Sequence, residues 1–327
     1  MHPNPKHRNV ALGLLAVAVC ALAATNVALS APRYARTPTQ SGAIDPAAIP
    51  LGDGYLSTSP KVGYVDSCKT TFRNGAEHAG SWIDSAAGTW DIAAKIAVSG
   101  AVAWPAASYK VTVANGKRTI LFDDLPVDHT TGVFPIAPTD PAYAYDRNPN
   151  HIAAHATTWA LPVNPKAAQK PSCVGLGAIG VLKDGVYLYN ALDASGRDAA
   201  AHEVQDACGG HPDGSSSYHH HDAPPCIVAA APKGKATLVG YARDGYGIYV
   251  VRDASGQMPT NTSLDACHGT TSVVPWNGKK RRVYHYVATL EYPYTVGCYH
   301  GTPNKKASTG LPAAHRQPPS RRPRPRP

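Results

Sequence analysis

Gly180-Val-Leu-Lys-Asp-Gly-Val-Tyr-Leu-Tyr189 is answered sixty residues further on by Gly240-Tyr-Ala-Arg-Asp-Gly-Tyr-Gly-Ile-Tyr249. Each stretch sets apolar and aromatic residues on both sides of an Asp-Gly pair, the chemistry of a tight hairpin turn. The echo continues in the same order. Asp193-Ala-Ser-Gly196 returns as Asp253-Ala-Ser-Gly256, Asp206-Ala-Cys208 as Asp265-Ala-Cys267, and Tyr218-His219 as Tyr284-His285. Each unit then closes on a cysteine, Cys226 or Cys298. So many matches in one order mark an internal duplication of residues 180–226 and 240–298. A third hairpin is signalled upstream, where Tyr109 to Val113 and Lys117 to Phe122 flank Asn115-Gly116. Helical signals are few: Asp198 to Asp206 predicts two turns, and Trp90 to Ala97 reads either way. The pattern predicts an all-β, or β-dominated, disulfide-stapled, sandwich-like domain with long loops.

The flanks differ from this body. Residues 1–30 read as a signal peptide, with Lys6 and Arg8 before an apolar run from Val10 to Ala24 and a small-residue cleavage site at Ala28-Leu29-Ser30. That run is shorter than the ~20 residues of a spanning helix, and no second long run follows. Cys20 lies inside the run without the surroundings of a lipid-anchored cysteine. Residues 31–60, rich in Pro, Thr, Ser and Ala, read as a linker. The β-rich body is expected over 61–302. Residues 303–327 form a basic Pro/Arg-rich tail with no means to bury a core, free to touch anionic surfaces. Of the 31 Lys and Arg residues, nine lie in the signal and tail; the other 22 balance the 22 acids of the body. The +9 charge therefore belongs to the flanks, and no broad nucleic-acid face is expected.

Cys68, Cys173, Cys208, Cys226, Cys267 and Cys298 remain after signal cleavage. An even count without C-x-x-C spacing reads as three disulfides in a secreted or periplasmic protein. Matching cysteines within each repeat pairs Cys208 with Cys226 and Cys267 with Cys298, leaving Cys68 for Cys173. Fifteen pairings are open in principle.

Five of the fifteen histidines fall in twenty residues: His202, His211, His219, His220 and His221. On a strand, His219 and His221 share one face about 6–7 Å apart, and His220 points the other way. Such a pair converges on zinc or copper, with His285, the repeat counterpart of His219, as an expected third ligand. His202, Asp206, His211 and Asp222 are further candidates to complete or orient the set. The competing reading makes the Tyr-His pairs packing elements and the clustered histidines solvated; His129, His268 and His300 read as loop histidines.

Familiar catalytic motifs fall away on inspection. Gly175-Leu-Gly177-Ala-Ile-Gly180 fits G-x-G-x-x-G but opens a hairpin rather than a helix, so no nucleotide cofactor is expected. His202-Glu203-Val-Gln-Asp206 starts like H-E-x-x-H, yet Asp206 stands at the second histidine. There is no G-x-S-x-G elbow. Asp123 and Asp124 are adjacent and would face opposite sides of a strand. The Asp-Ala-Ser-Gly pairs suit tight turns better than calcium, and Asp146-Arg147-Asn148-Pro149-Asn150 is a loop signature.

Over about 115–302 the chain resembles the bacterial YHYH-domain family, whose name spells its Tyr-His-Tyr-His motif. The likeness rests on Asp128-His129-Thr-Thr-Gly-Val-Phe-Pro-Ile136, Tyr145 to Asn150, Gly185 to Asp193, Asp206-Ala-Cys-Gly-Gly-His-Pro212, Tyr218-His-His-His221, Tyr284-His-Tyr-Val287, Tyr292-Pro-Tyr294 and Cys298. Two positions depart from the motif: His220 replaces the second tyrosine, and Val287 replaces the last histidine of the second unit. The resemblance implies an exported protein and brings no activity with it. Three readings remain: a copper- or zinc-binding protein, a metal-dependent oxidase or hydrolase on the same residues, and a metal-free structural module. Five histidines in twenty residues favour the first two over the third, and the lack of a nucleophile or acid/base set favours the first over the second.

Overall fold

The computed structural model describes residues 42–72, 79–304 and 308–309, all in one compact unit. The expected signal peptide, the first part of the linker and nearly all of the basic tail lie outside the described residues. β1 (Tyr109–Ala114) and β2 (Lys117–Phe122) pair antiparallel around Asn115 and Gly116. Both turn residues hold positive φ, 50° and 72°, as the mirror-image turn of a two-residue hairpin requires. β3 (Thr157–Pro162) adds to β2 with Ile120 opposite Trp159. Alternation turns Ile120, Phe122, Trp159 and Leu161 inward.

The duplication builds the second, larger sheet. β4 (Ala178–Leu182) and β5 (Tyr187–Tyr189) form the first Asp-Gly hairpin; β6 (Gly210–Pro212) and β7 (Tyr218–His220) form another. The second unit repeats them as β8 (Lys235–Ala242) with β9 (Gly247–Arg252), then β10 (Gly269–Trp276) with β11 (Lys279–Val287). The strand order is β6-β7-β5-β4-β8-β9-β11-β10. β7 runs parallel to β5 in one half, and β11 parallel to β9 in the other. The halves join through the antiparallel pair β4–β8, so the sheet is its own image about a pseudo-two-fold between those strands.

This join corrects one expectation. Pairing of the units does not bring His285 to His219: the Tyr-His strands lie five strands apart, roughly 24 Å at the ordinary inter-strand spacing.

Val181, Tyr241, Tyr249, Val274 and Trp276 of the large sheet pack on the inward face of β1–β3, giving the expected sandwich. The other face is covered by irregular chain. Leu182, Leu188, Ile248 and Val250 meet Ile49, Leu51, Trp82 and Trp90 from the N-terminal part, and Tyr292, Tyr294 and Val296 from the loop after β11. Residues 42–60 are thus part of the body rather than linker: Ile49–Pro50 pairs with Thr89–Trp90, and Ile49 is fully buried. Ile44, Ile49 and Leu51 bury their side chains in the core, in a stretch without periodicity.

Among the described residues the fold is β-dominated, with two short α-helices: α1 (Ala199–His202) and α2 (Pro225–Ala230). The three disulfides are Cys68–Cys173, Cys208–Cys226 and Cys267–Cys298. Among the described residues no helix is long and apolar enough to cross a membrane.

Candidate metal centre

β7 presents His219 and, at its end, His221 to one side of the sheet. The β6–β7 register sets His211 directly across from His219. Glu203 arrives from elsewhere. Asp198 caps α1, which ends after His202; Glu203 takes an extended conformation and turns away from the helix. One ligand atom from each of Glu203, His211, His219 and His221 lies within 4.8 Å of the others, and all four residues are buried or nearly so.

The ring orientations are set from behind. His219 Nδ1 faces the Ser217 carbonyl at 3.2 Å, and His221 Nδ1 faces the Asn190 carbonyl at 2.5 Å. A carbonyl accepts, so each Nδ1 carries its proton and each Nε2 is left as a lone-pair donor to an electrophile. Those two Nε2 atoms confront each other at 3.1 Å. His221 Nε2 and His211 Nε2 lie 2.9 and 3.1 Å from Glu203 Oε2. Tyr189 stacks on His219 with 3.9 Å between ring centres and donates its hydroxyl to Asp213.

Electrostatics follow from this crowding. Burial alone would raise the Glu203 carboxyl, but His221 and His211 beside it hold it well below the usual carboxylate range. Burial, with His211 and His221 as neighbours, pushes His219 far down, so its imidazole is neutral. Burial works against charge on His221 too, yet Glu203 prevails and raises it. A positive charge therefore belongs between these rings, whether a proton or a metal ion. One proton bridges one pair of atoms, whereas both nitrogens of His211 and Glu203 Oε2 make no hydrogen bond. Two ligands about 2.1 Å from one ion stand roughly 3.0–3.4 Å apart for bond angles between square and tetrahedral. The spacings of 2.9–3.1 Å fit the square end of that range.

The four side chains line the floor of a cleft of about 370 Å³. Its walls come from the Asp146–Asn150 loop, from Leu176 and Gly177 ahead of β4, and from Tyr189 and Asp213. The glycine-rich stretch, which enters a strand as expected, and the Asp146–Asn150 loop thus serve as cleft walls.

The other expected ligands go elsewhere. His202 binds Asp53 at 2.8 Å, in the stretch read as linker. Asp206 is saturated by the amides of Cys208, Gly210 and Gly132 and by the Tyr218 hydroxyl. Asp222 opens onto a different cavity beside Lys95. His285 packs against Tyr249 in the other half. The Asp-Ala-Ser-Gly segments are turns, with Asp193 accepting from the amides of Ser195 and Arg197, and Asp253 from those of Gly256 and Gln257. Glu203 is the member of the cluster that sequence reasoning missed. Its signal lay in the H-E-x-x-D near-motif, set aside for lack of a second histidine.

Fold and site together define a disulfide-linked β-sandwich with a buried imidazole–carboxylate cluster under an open cleft. Residues 158–261 match the family model described as YHYH protein. The match takes in the whole cluster and ends before Asp265. No curated protein and no solved structure matches the chain.

Proposed function

We propose that this is an exported protein that binds a divalent transition-metal ion, zinc or copper, through His211, His219, His221 and Glu203. The observation that carries the reading is the confrontation of His219 Nε2 and His221 Nε2 at 3.1 Å, each ring held by a backbone carbonyl at its Nδ1. Three imidazoles and one carboxylate suit either ion. Three disulfides support a destination in an oxidising compartment, secreted or periplasmic.

The cleft favours a second reading on the same residues, a metal-dependent enzyme. An ion at this floor would act as a Lewis acid if zinc and as a redox centre if copper. The protein's own part is to fix the ligands and present Tyr189 and Asp213 beside them.

The deciding experiment is elemental analysis of tag-free protein recovered from the periplasm, followed by melts before and after dialysis against a chelator. Near-stoichiometric zinc or copper, with a melting temperature that falls on chelation, is expected. No bound metal, no uptake from added zinc or copper, and a chelator-insensitive melt would leave the cluster structural.

A further inference from the structure

His220, between the two cluster histidines, faces the opposite side of the sheet, and it does not face apolar packing alone. Its Nδ1 lies 3.1 Å from the Gly209 carbonyl, which places the proton there and leaves Nε2 as a lone pair. That Nε2 approaches Asp184 Oδ2 to 3.3 Å without making a hydrogen bond, and both side chains are fully buried. Asp184 sits in the β4–β5 turn, where its other oxygen accepts from the Val186 amide. The third member comes from the loop after β2. His129 Nδ1 lies 2.9 Å from Asp128, and its Nε2 is buried with no hydrogen-bond partner. With both imidazoles neutral, three acceptors thus converge within 4.8 Å of one another. Cys208 and Cys226, whose sulfurs also lie near His129, are joined to each other and offer no thiolate.

The second half of the sheet shows how such a place is satisfied by protein alone. The counterpart of Asp184 is Asp244, and the counterpart of His220 is Tyr286, whose hydroxyl donates to Asp244 Oδ2. In the first half an imidazole lone pair has replaced that donor, and a second imidazole stands beside it.

We propose that His129, Asp184 and His220 hold a second divalent transition-metal ion, on the far side of the sheet from the His219–His221 cluster. Two imidazoles and one carboxylate leave positions open on a zinc-type ion, and a cavity of about 290 Å³ reaches His129 and Asp184 from outside. The Asp128 carboxylate behind His129 and the Gly209 carbonyl behind His220 orient the rings as second partners of metal ligands do. The two sites share no ligand atom.

The test is zinc stoichiometry of the full mature chain, loaded with zinc chloride, desalted and analysed by mass spectrometry. Wild type is expected to keep two zinc ions per chain. His129→Ala, on a loop, should keep one, and so should His211→Ala in the other cluster; the double variant should keep none. His220→Tyr, which reinstates the residue type of Tyr286, should also keep one while melting no lower than zinc-free wild type. A wild type that keeps one ion, lost in His211→Ala and retained in His129→Ala, overturns the second site and leaves the first standing. One ion lost only in His129→Ala supports the second site and sinks the first. No retained zinc overturns both.

Discussion

The two halves of the eight-stranded sheet share a frame and differ in what they do with it. In the first, Tyr189 stacks on His219, whose Nδ1 faces the carbonyl two residues back. In the second, Tyr249 packs against His285, whose Nδ1 likewise faces the Val283 carbonyl two residues back. The partners differ. His211 and His221 become Thr270 and Val287, and the place of Glu203, three residues before the Asp-Ala-Cys segment, is taken by Thr262. His285 Nε2 is left buried and without a hydrogen bond. The scaffold orients an imidazole equally well in both halves; only the company it keeps makes a cluster. A fold can be inherited twice while its chemistry is kept once.

The contrast breaks first at the metal. His221→Ala should weaken zinc binding at the cluster more than ~100-fold, since a ligand is worth more than the 10–100-fold typical of a second partner. His285→Ala should leave it within about twofold. Titration calorimetry against zinc measures both, and equal losses would end the asymmetry argued here.

A smaller difference is expected in the tyrosine locks. Tyr218 donates to Asp206 at 2.8 Å in a buried setting, and Tyr284 to Asp265 at 3.1 Å in an exposed one. Tyr218→Phe should cost ~1–3 kcal/mol, the range for a buried acceptor losing its donor, and Tyr284→Phe less than ~1 kcal/mol. Denaturant unfolding of the two variants checks the order.

The smallest effect is one of pH and belongs to the second half. Burial pushes His268 down to about 3, and its Nε2 meets Thr289 Oγ1 at 3.0 Å. Its folded pKa lies below the unfolded value, so the unfolded chain takes up the proton first. Stability from this group is complete above about pH 6.5 and declines as the pH falls toward 3. Between pH 8 and pH 6 the loss should be less than ~1 kcal/mol. His268→Gln should remove that slope, and an unchanged slope would mean that His268 is not held neutral.

Much of this architecture is legible in the residues. Asn115-Gly116, Asp184-Gly185 and Asp244-Gly245 each announce a hairpin because positive φ at the turn leaves few residue types to choose from. The matched order of motifs implies two like halves and pairs the cysteines. How the halves join is not legible, since a strand such as β4 carries no local mark of its distant partner β8. Ile49 and Leu51 were hidden for the same reason: their burial depends on Trp90 and the far face of the sheet. At the site, period-two alternation placed His219 with His221, and hairpin register brought in His211. Glu203 needed the end of a four-residue helix, and His202 was claimed by Asp53 from 149 residues away. Those contacts are tertiary, and no window of sequence contains them.

Three identical residues in a row make β7 blind to its own position. Were the strand to slide by one, every side chain would change sides, yet histidines would still point both ways. Neighbours therefore have to keep the count. Gly210 offers the bare backbone over which the Tyr218 ring lies; a Cβ there would fall 2.2 Å from that ring. The Tyr218 hydroxyl then closes on Asp206, and Cys208 is tied to Cys226 on either side of the run. A glycine, a phenol and a disulfide, none of them a ligand, thus act as the key that assigns each imidazole its address.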